Sequence, residues 1–399
     1  MRIGIVCYPT YGGSGALATD LGQALAAMGH CVHIISYEMP FRLTAAGAGP
    51  RVFFHEVPRV DYPLITQPYY SLNLAVKLFQ VATEARLDVL HAHYAVPHAA
   101  SAYLARQMLA PRALPIITTL HGTDITLVGN APAYQPVVRF SINQSDAVTC
   151  VSEWLREQTV EHFTPEREID VIYNFVDTAR FVPRPPNLDA RRRLAGDGER
   201  ILMHISNFRP VKRLVDVVEI FVRVVRRLPA RLVLVGDGPE REAAAFVAKC
   251  NGVADRVVFL GKQAEIESLL PHADLFLFPS DHESFGLAPA EAMACEVPVV
   301  GSHSGGLPEV VTDGVTGHLH PVGQVDAMAE SALALLLDPA RAREMGRAAR
   351  ADIVERFAPE VIVPRYLELY RRILGDAGLH GDAECEPAAG RPREGSRAA

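Results

Sequence analysis

A chain in which short apolar runs keep alternating with longer amphipathic stretches has few folds open to it. Strands that need burial on both faces must lie side by side in a parallel sheet, with helices covering it above and below. This sequence alternates in that way twice. The first set reads as strands at 3–7, 31–36, 52–57, 89–93, 116–120, 146–152 and 169–173, with helices at 16–28, 72–85, 98–108 and from 153 onward. The proline-rich run Phe181-Val-Pro-Arg-Pro-Pro-Asn187 then breaks the pattern and reads as a linker. Beyond it, strands at 201–205, 232–235, 257–260, 274–279 and 297–301 interleave with helices at 214–227, 240–249, 266–270, 325–337 and 339–355. At 399 residues the chain exceeds what one ordinary core accommodates. The expected fold class is α/β, with two doubly wound, Rossmann-like domains over 1–180 and 181–357. Pro364 to Leu374 reads as a closing amphipathic helix, the segment 358–374 is expected to rejoin the first domain, and the small, polar tail 375–399 is expected to be disordered.

Charge narrows the partners. The formal net charge is -7, so no basic surplus exists to neutralise nucleic-acid phosphates. Any anionic ligand must be met by a few local cations and by helix N-termini. No apolar run approaches the ~20 residues of a bilayer span, so stable membrane insertion is not expected. The first strand begins too early to leave room for a signal peptide, and a cytoplasmic location is expected. The six cysteines are scattered, with no C-x-x-C or zinc-like Cys/His spacing, and read as reduced. No cofactor is implied, and a homo-oligomer stays open.

Ligands of such sheets bind at the carboxyl ends of the strands, and that is where the unusual residues fall. The richest loop, Ser280-Asp-His-Glu-Ser-Phe-Gly-Leu-Ala-Pro-Ala-Glu-Ala-Met-Ala-Cys295, leads from an apolar strand into a helix. Gly286 allows close approach to the helix N-terminus, where backbone donors suit a diphosphate. Glu283 and Glu291 bracket that point and suit hydroxyl groups at two ends of an extended ligand. Arg209, Lys212 and Arg213 follow another strand, and a lysine meets a diphosphate as a point charge. In the first half, Gly12, Gly13, Ser14 and Gly15 precede a helix and form a second phosphate-suited turn. Gly13-x-Gly15-x-x-Ala18 with Glu38 ~20 residues on also fits a loose dinucleotide fingerprint. A nicotinamide oxidoreductase is therefore a rival reading, although residues 9–12 lengthen the loop beyond that fingerprint. Two further strand ends carry His91-Ala-His-Tyr-Ala95 and Thr118-Thr-Leu-His-Gly-Thr-Asp124, with His121 beside a permissive Gly122. His91 and His93 alternate along one strand and do not suit a shared metal.

Together the E-S-F-G-L-A-P-A-E segment, the Lys212 loop, G-D-G-P at 236–239 and G-G-L-P-E at 305–309 resemble the retaining nucleotide-sugar glycosyltransferases of family 4. That resemblance implies the GT-B fold of two facing Rossmann-like domains. The runs C-Y-P-T-Y-G-G-S-G, P-F-R-L, H-A-H-Y-A-V-P-H-A, T-T-L-H-G-T-D-I-T, Y-N-F-V-D and H-I-S-N-F-R-P-V-K-R are similar to one branch of it. That branch transfers N-acetylglucosamine from UDP-N-acetylglucosamine to L-malate, opening bacillithiol biosynthesis.

The resemblance implies His121, Lys212 and Glu283 as catalytic residues. It implies Gly13, Ser14, Gly15, Asn207, Lys212, Glu283, Ser284, Phe285, Gly286 and Glu291 around the nucleotide sugar, with Glu291 on the ribose. Ser14, Tyr94 and Thr119 resemble the acceptor pocket, with Arg139 as a cation for one malate carboxylate. No D-x-D pair is present, so no metal is expected to hold the diphosphate. Front-face transfer, without a protein base, is the mechanism most compatible with these residues. Asn207 departs from the wider family, which carries arginine five residues before the lysine, but agrees with the malate branch. Glu296 stands where the family pattern has glycine, which questions the local turn. A family member with a different acceptor, inositol phosphate or a polysaccharide, is the main competitor, and a non-catalytic nucleotide-sugar sensor stays open.

Overall fold

The chain is described from a computed structural model that covers residues 1–9, 13–46, 49–58, 70–185, 188–375 and 385. The first sheet is built from β1 (Arg2–Val6), β2 (Cys31–Ser36), β3 (Val52–Glu56), β4 (Val89–His93), β5 (Ile116–Leu120), β6 (Ala147–Cys150) and β7 (Ile169–Val171). All pair in parallel, in the order β3-β2-β1-β4-β5-β6-β7. Among the described residues six α-helices accompany them: α1 (Gly13–Ala27), α2 (Phe41–Ala46), α3 (Tyr70–Glu84), α4 (Ala100–Met108), α5 (Gln135–Gln144) and α6 (Glu153–Phe163). Strands β2, β4, β5 and β6 are buried at every residue, which is why they read as unbroken apolar or small-polar runs.

The second sheet comprises β8 (Arg200–Ile205), β9 (Ala230–Val235), β10 (Val257–Gly261), β11 (Leu275–Phe278), β12 (Val299–Ser302) and β13 (Gly317–His320). Its order is β10-β9-β8-β11-β12-β13, again all parallel. Its helices are α7 (Leu188–Arg192), α8 (Leu214–Val225), α9 (Arg241–Cys250), α10 (Leu287–Ala294), α11 (Leu307–Val310), α12 (Val325–Leu337) and α13 (Pro339–Phe357). A last helix, α14 (Pro359–Leu374), returns to the first sheet. Its Ile362, Tyr366 and Tyr370 join Ile3, Leu17 and Val89 in one core, and Tyr370 Oη lies 2.8 Å from His91 Nδ1. The two halves also share apolar contacts, since Leu120 and Leu155 pack in the same cluster as Phe276, Phe285 and Leu307.

Several expectations are corrected. Helix α5 is absent from the sequence-based reading: its sequence is polar and β-branched, and only Val138, Ser141 and Ile142 are buried. The helix expected over 266–270 is instead two short turns, Ile266–Ser268 and Leu270–His272, because Pro271 cannot continue the first. The closing helix begins at Pro359 and tolerates Pro364 inside it. Glu296 adopts φ 62, the left-handed conformation a glycine accepts freely, which explains the glycine of the family pattern there. Cys31 and Cys385 are joined by a disulfide, contrary to the expectation that all cysteines are reduced; their separation of 354 residues hides any pairing signal. Residues 10–12 of the first glycine loop, and nearly all of the tail expected to be disordered, lie outside the described residues. Among the described residues no helix is long and apolar enough to cross a membrane.

Candidate active site

Each sheet reverses its strand order once, between β1 and β4 and between β8 and β11. Crevices for ligands form at such points, outside the carboxyl ends of the strands. The loops leaving these four strands carry most of the residues singled out above.

On the second sheet, the loops after β8 and β11 are tied together. Asp281 N donates to Val211 O at 2.8 Å, and Arg213 holds Asp281 at 2.9 Å and Asp216 at 2.7 Å. Arg213 is thereby committed to structure. Its neighbour Lys212 faces the cleft, with Nζ 2.5 Å from Glu283 Oε2 and 5.1 Å from the centre of the Phe278 ring. Both members of that ion pair keep 17% of their side-chain surface, so an incoming phosphate or hydroxyl can exchange with either.

Gly286, at φ 97, starts α10; a Cβ there would come within 2.8 Å of Leu307 Cδ1. This glycine lets the loop turn sharply and leaves the first N–H groups of α10 unpaired within the helix. Ser284 Oγ abuts Gly122 of the first domain, which at φ 104 has no room for a Cβ. Phe285 is corrected from a ligand contact to a core residue: it is 1% exposed and packs on Tyr173 and Phe357. Only its backbone remains available to a ligand.

Glu291 sits in α10 at 3% exposure, and its Oε1 accepts a hydrogen bond of 2.5 Å from Arg42 Nη2 on the first domain. Arg42 also pairs with Asp20. Burial pushes the Glu291 carboxyl up, and the Arg42 charge opposes that shift. Arg42 belongs to the P-F-R-L run, but nothing local signals a partner 249 residues away.

From the first domain, Gly13 opens α1 so close to α10 that a Cβ on it would lie 3.6 Å from Leu287 Cδ2. Two helix N-termini therefore face each other across the crevice, both with the positive end of the dipole toward it. Gly15 is buried, and its carbonyl accepts the Thr19 hydroxyl at 2.8 Å. Ser14 Oγ accepts a hydrogen bond from Tyr94 Oη at 2.7 Å. Tyr94 holds the strained backbone pair φ 96, ψ 138, kept there by its N–H on Thr119 O at 2.9 Å.

Asp124 organises the neighbouring loops. Its carboxylate accepts from the backbone N–H of Ala95 at 2.9 Å, His121 at 3.2 Å and Gly122 at 3.1 Å. Burial pushes its carboxyl up to about 6 in spite of those donors. His121 is held down at about 3 by burial and is therefore a neutral imidazole. Thr119 is corrected: its hydroxyl is fully buried, 2.7 Å from both His91 Nε2 and Thr149 Oγ1, inside the domain rather than at the cleft. Arg139 projects from the exposed side of α5 and does not line the cavity.

Between the domains lies a cavity of about 190 Å³ that brings together Gly13, Asn207, Lys212, Glu283 and Glu291. Asn207 Oδ1 is buried there without a partner among the described residues. Arg42, Gly236, Asp237, Lys262 and Gln263 line it too. Gly236 and Asp237 belong to the G-D-G-P run after β9, whereas Lys262 and Gln263, from the turn after β10, look like any α/β loop in sequence. Glu309, from the G-G-L-P-E turn, fixes the seam by accepting the backbone N–H groups of Glu153 and Trp154, each at 2.9 Å, at the start of α6.

Similarity to known proteins agrees with this arrangement. Residues 188–352 match the glycosyl transferases group 1 family and residues 11–180 match glycosyltransferase family 4. The N-acetyl-alpha-D-glucosaminyl L-malate synthase of Bacillus anthracis is 45% identical over 376 residues, spanning 94% of this chain and 98% of that one. A GDP-mannose-dependent alpha-(1-6)-phosphatidylinositol monomannoside mannosyltransferase of Mycolicibacterium smegmatis is 33% identical over 321 residues, 76% of this chain and 82% of that one. The solved structure of Anabaena HepE in complex with UDP-glucose superposes with a TM-score of 0.78 at 20% identity, over 93% of this chain and 100% of that one. That last likeness shows a shared two-domain fold.

Proposed function

The chain belongs to the family 4 glycosyltransferases, and from that premise we propose that it transfers N-acetylglucosamine from UDP-N-acetylglucosamine to the hydroxyl of L-malate with retention at the anomeric carbon. The observation that carries this is the convergence of Gly13, Lys212, Glu283 and Glu291 on one cavity between two opposed helix N-termini. The relative at 45% identity supports the choice of sugar and acceptor.

In this reading the diphosphate lies between the N-termini of α1 and α10. Lys212 leaves Glu283 to meet the phosphate oxygens, and its charge grows in value as negative charge builds on the departing UDP. Glu283, released, accepts hydrogen bonds from sugar hydroxyls. Glu291 takes the ribose hydroxyls, for which Arg42 must yield part of its hold. A cavity of about 190 Å³ is smaller than the ~300–1,000 Å³ typical of ligand pockets, so the cleft widens as the donor enters. His121 contacts the sugar near its reacting face, while Ser14 and Tyr94 meet the acceptor.

Chemistry on one face balances without a protein base. The bond from the anomeric carbon to the phosphate oxygen breaks, the malate oxygen bonds to the same face, and its proton passes to the leaving phosphate. A trapped glycosyl-enzyme adduct would exclude that route. The function itself is tested by UDP release from UDP-N-acetylglucosamine with a panel of hydroxy acids, inositol phosphate and polysaccharide. Malate is expected to be preferred. Preference for another acceptor would redirect the assignment within the family, and binding without turnover would make the protein a sensor.

A further inference from the structure

His93 has no role in the chemistry above, yet it is the side chain that touches His121. It ends β4, is fully buried, and places Nδ1 2.9 Å from His121 Nε2. The ring centroids are 5.1 Å apart and the planes differ by 20°, so the rings meet edge to edge through those two nitrogens. The other face of His93 packs on His91, with centroids 4.4 Å apart. Burial drives both His93 and His121 to their neutral forms, and between two neutral imidazoles only one nitrogen of the pair can carry the proton.

Which one carries it follows from the far side of His93. Its Nε2 is buried without a hydrogen-bond partner among the described residues. A proton there would leave an orphaned N–H, the rarer and more costly defect, whereas a bare lone pair is better tolerated. The proton of His93 is then on Nδ1, donated to His121 Nε2. His121 must hold its own proton on Nδ1, which makes no hydrogen bond among the described residues, and the residue keeps 9% of its surface.

We infer that His93 is a positioning residue that locks His121 in the Nδ1–H tautomer, so that a neutral imidazole presents a hydrogen-bond donor to a substrate oxygen. The substrate part of this rests on the reading of His121 as a sugar contact; the tautomer does not. Nitrogen-15 NMR of the histidine-labelled full chain, with His121 assigned from its loss in His121→Gln, reads the tautomer directly. Protons on Nδ1 of both rings are expected between pH 6 and 8. A proton on His121 Nε2, or an imidazolium, overturns the inference.

Kinetics supply the second readout. His93→Asn sets an amide donor where Nδ1 was and is expected to keep kcat within about threefold. His93→Leu removes the donor and should lower kcat by about tenfold, the value of one hydrogen bond, with KM for the sugar nucleotide nearly unchanged. Equal loss in both variants, or full activity in the leucine variant, contradicts the positioning role. Should His93→Leu fail to fold, the wild-type tautomer still decides. A fully active His121→Gln would sink the sugar-contact reading alone.

Discussion

Acid should unfold the first domain before the second. His91 and His121 are pushed down to about 3 and His98 to about 4 by burial, and His93 is depressed for the same reason. An unfolded histidine titrates near 6.5. The stability each group confers is therefore complete above that value and is lost as pH falls from 6.5 toward the folded values. Between pH 7.5 and 5.5 each neutral histidine forfeits about 1.4 kcal/mol, on the order of 5 kcal/mol for these four, and His30, His33 and His55, lowered by burial to about 4, deepen the loss. Asp124 works the other way, because its folded value of about 6 exceeds the ordinary one, and it returns somewhat less than ~1 kcal/mol over the same interval. Asp20, also raised by burial, opposes the loss in the same sense, and Glu291 does so for the second domain. In the second domain His204, at about 4, is the fully buried counterpart and costs about 1.4 kcal/mol, with further loss from His272 and His320, which burial also lowers. A domain is stable by ~5–15 kcal/mol, so the first domain gives up a large fraction. The protein's single tryptophan, Trp154, starts α6 in that domain. Urea unfolding followed by its fluorescence should show a midpoint lower by roughly 2 M at pH 5.5 than at pH 7.5, taking an ordinary slope. A midpoint that stays put or rises refutes the claim that these histidines are neutral in the folded chain.

Other outcomes follow from the site. Lys212→Ala should lower kcat by about 10²–10³, the scale for losing a preorganised transition-state charge, and Glu283→Ala should also remove most turnover; circular dichroism should find both folded. Retained activity in the lysine variant would contradict its role on the diphosphate. Gly122→Ala should hold the domains apart, since its Cβ overlaps Ser284 Oγ; a larger radius of gyration by X-ray scattering checks this, and adding Ser284→Gly should restore part of the closure. An unchanged radius would mean that this seam does not form in solution.

Much of the architecture was legible because parallel strands buried on both faces leave unbroken runs. Strands β2, β4 and β5 fall on the expected residues for that reason. The loops were legible as well, since glycine beside charge at a strand end has few other uses. What the sequence could not show is which way a side chain turns. Phe285 and Thr119 sit beside residues that reach the crevice, but one faces the core and the other the interior of its sheet. Arg42 and Glu291 meet across the domains, and Cys31 meets Cys385 across almost the whole chain; no local pattern encodes either. Helix α5 escaped because its buried stripe is narrow.

The central claim is that a sugar diphosphate lies between the domains. A crystal structure with UDP should place the diphosphate against Lys212 and the start of α10, and the ribose within hydrogen-bond reach of Glu291 after Arg42 has shifted. Uridine bound outside the crevice, or Glu291 still wholly engaged by Arg42 with the ribose elsewhere, would contradict it.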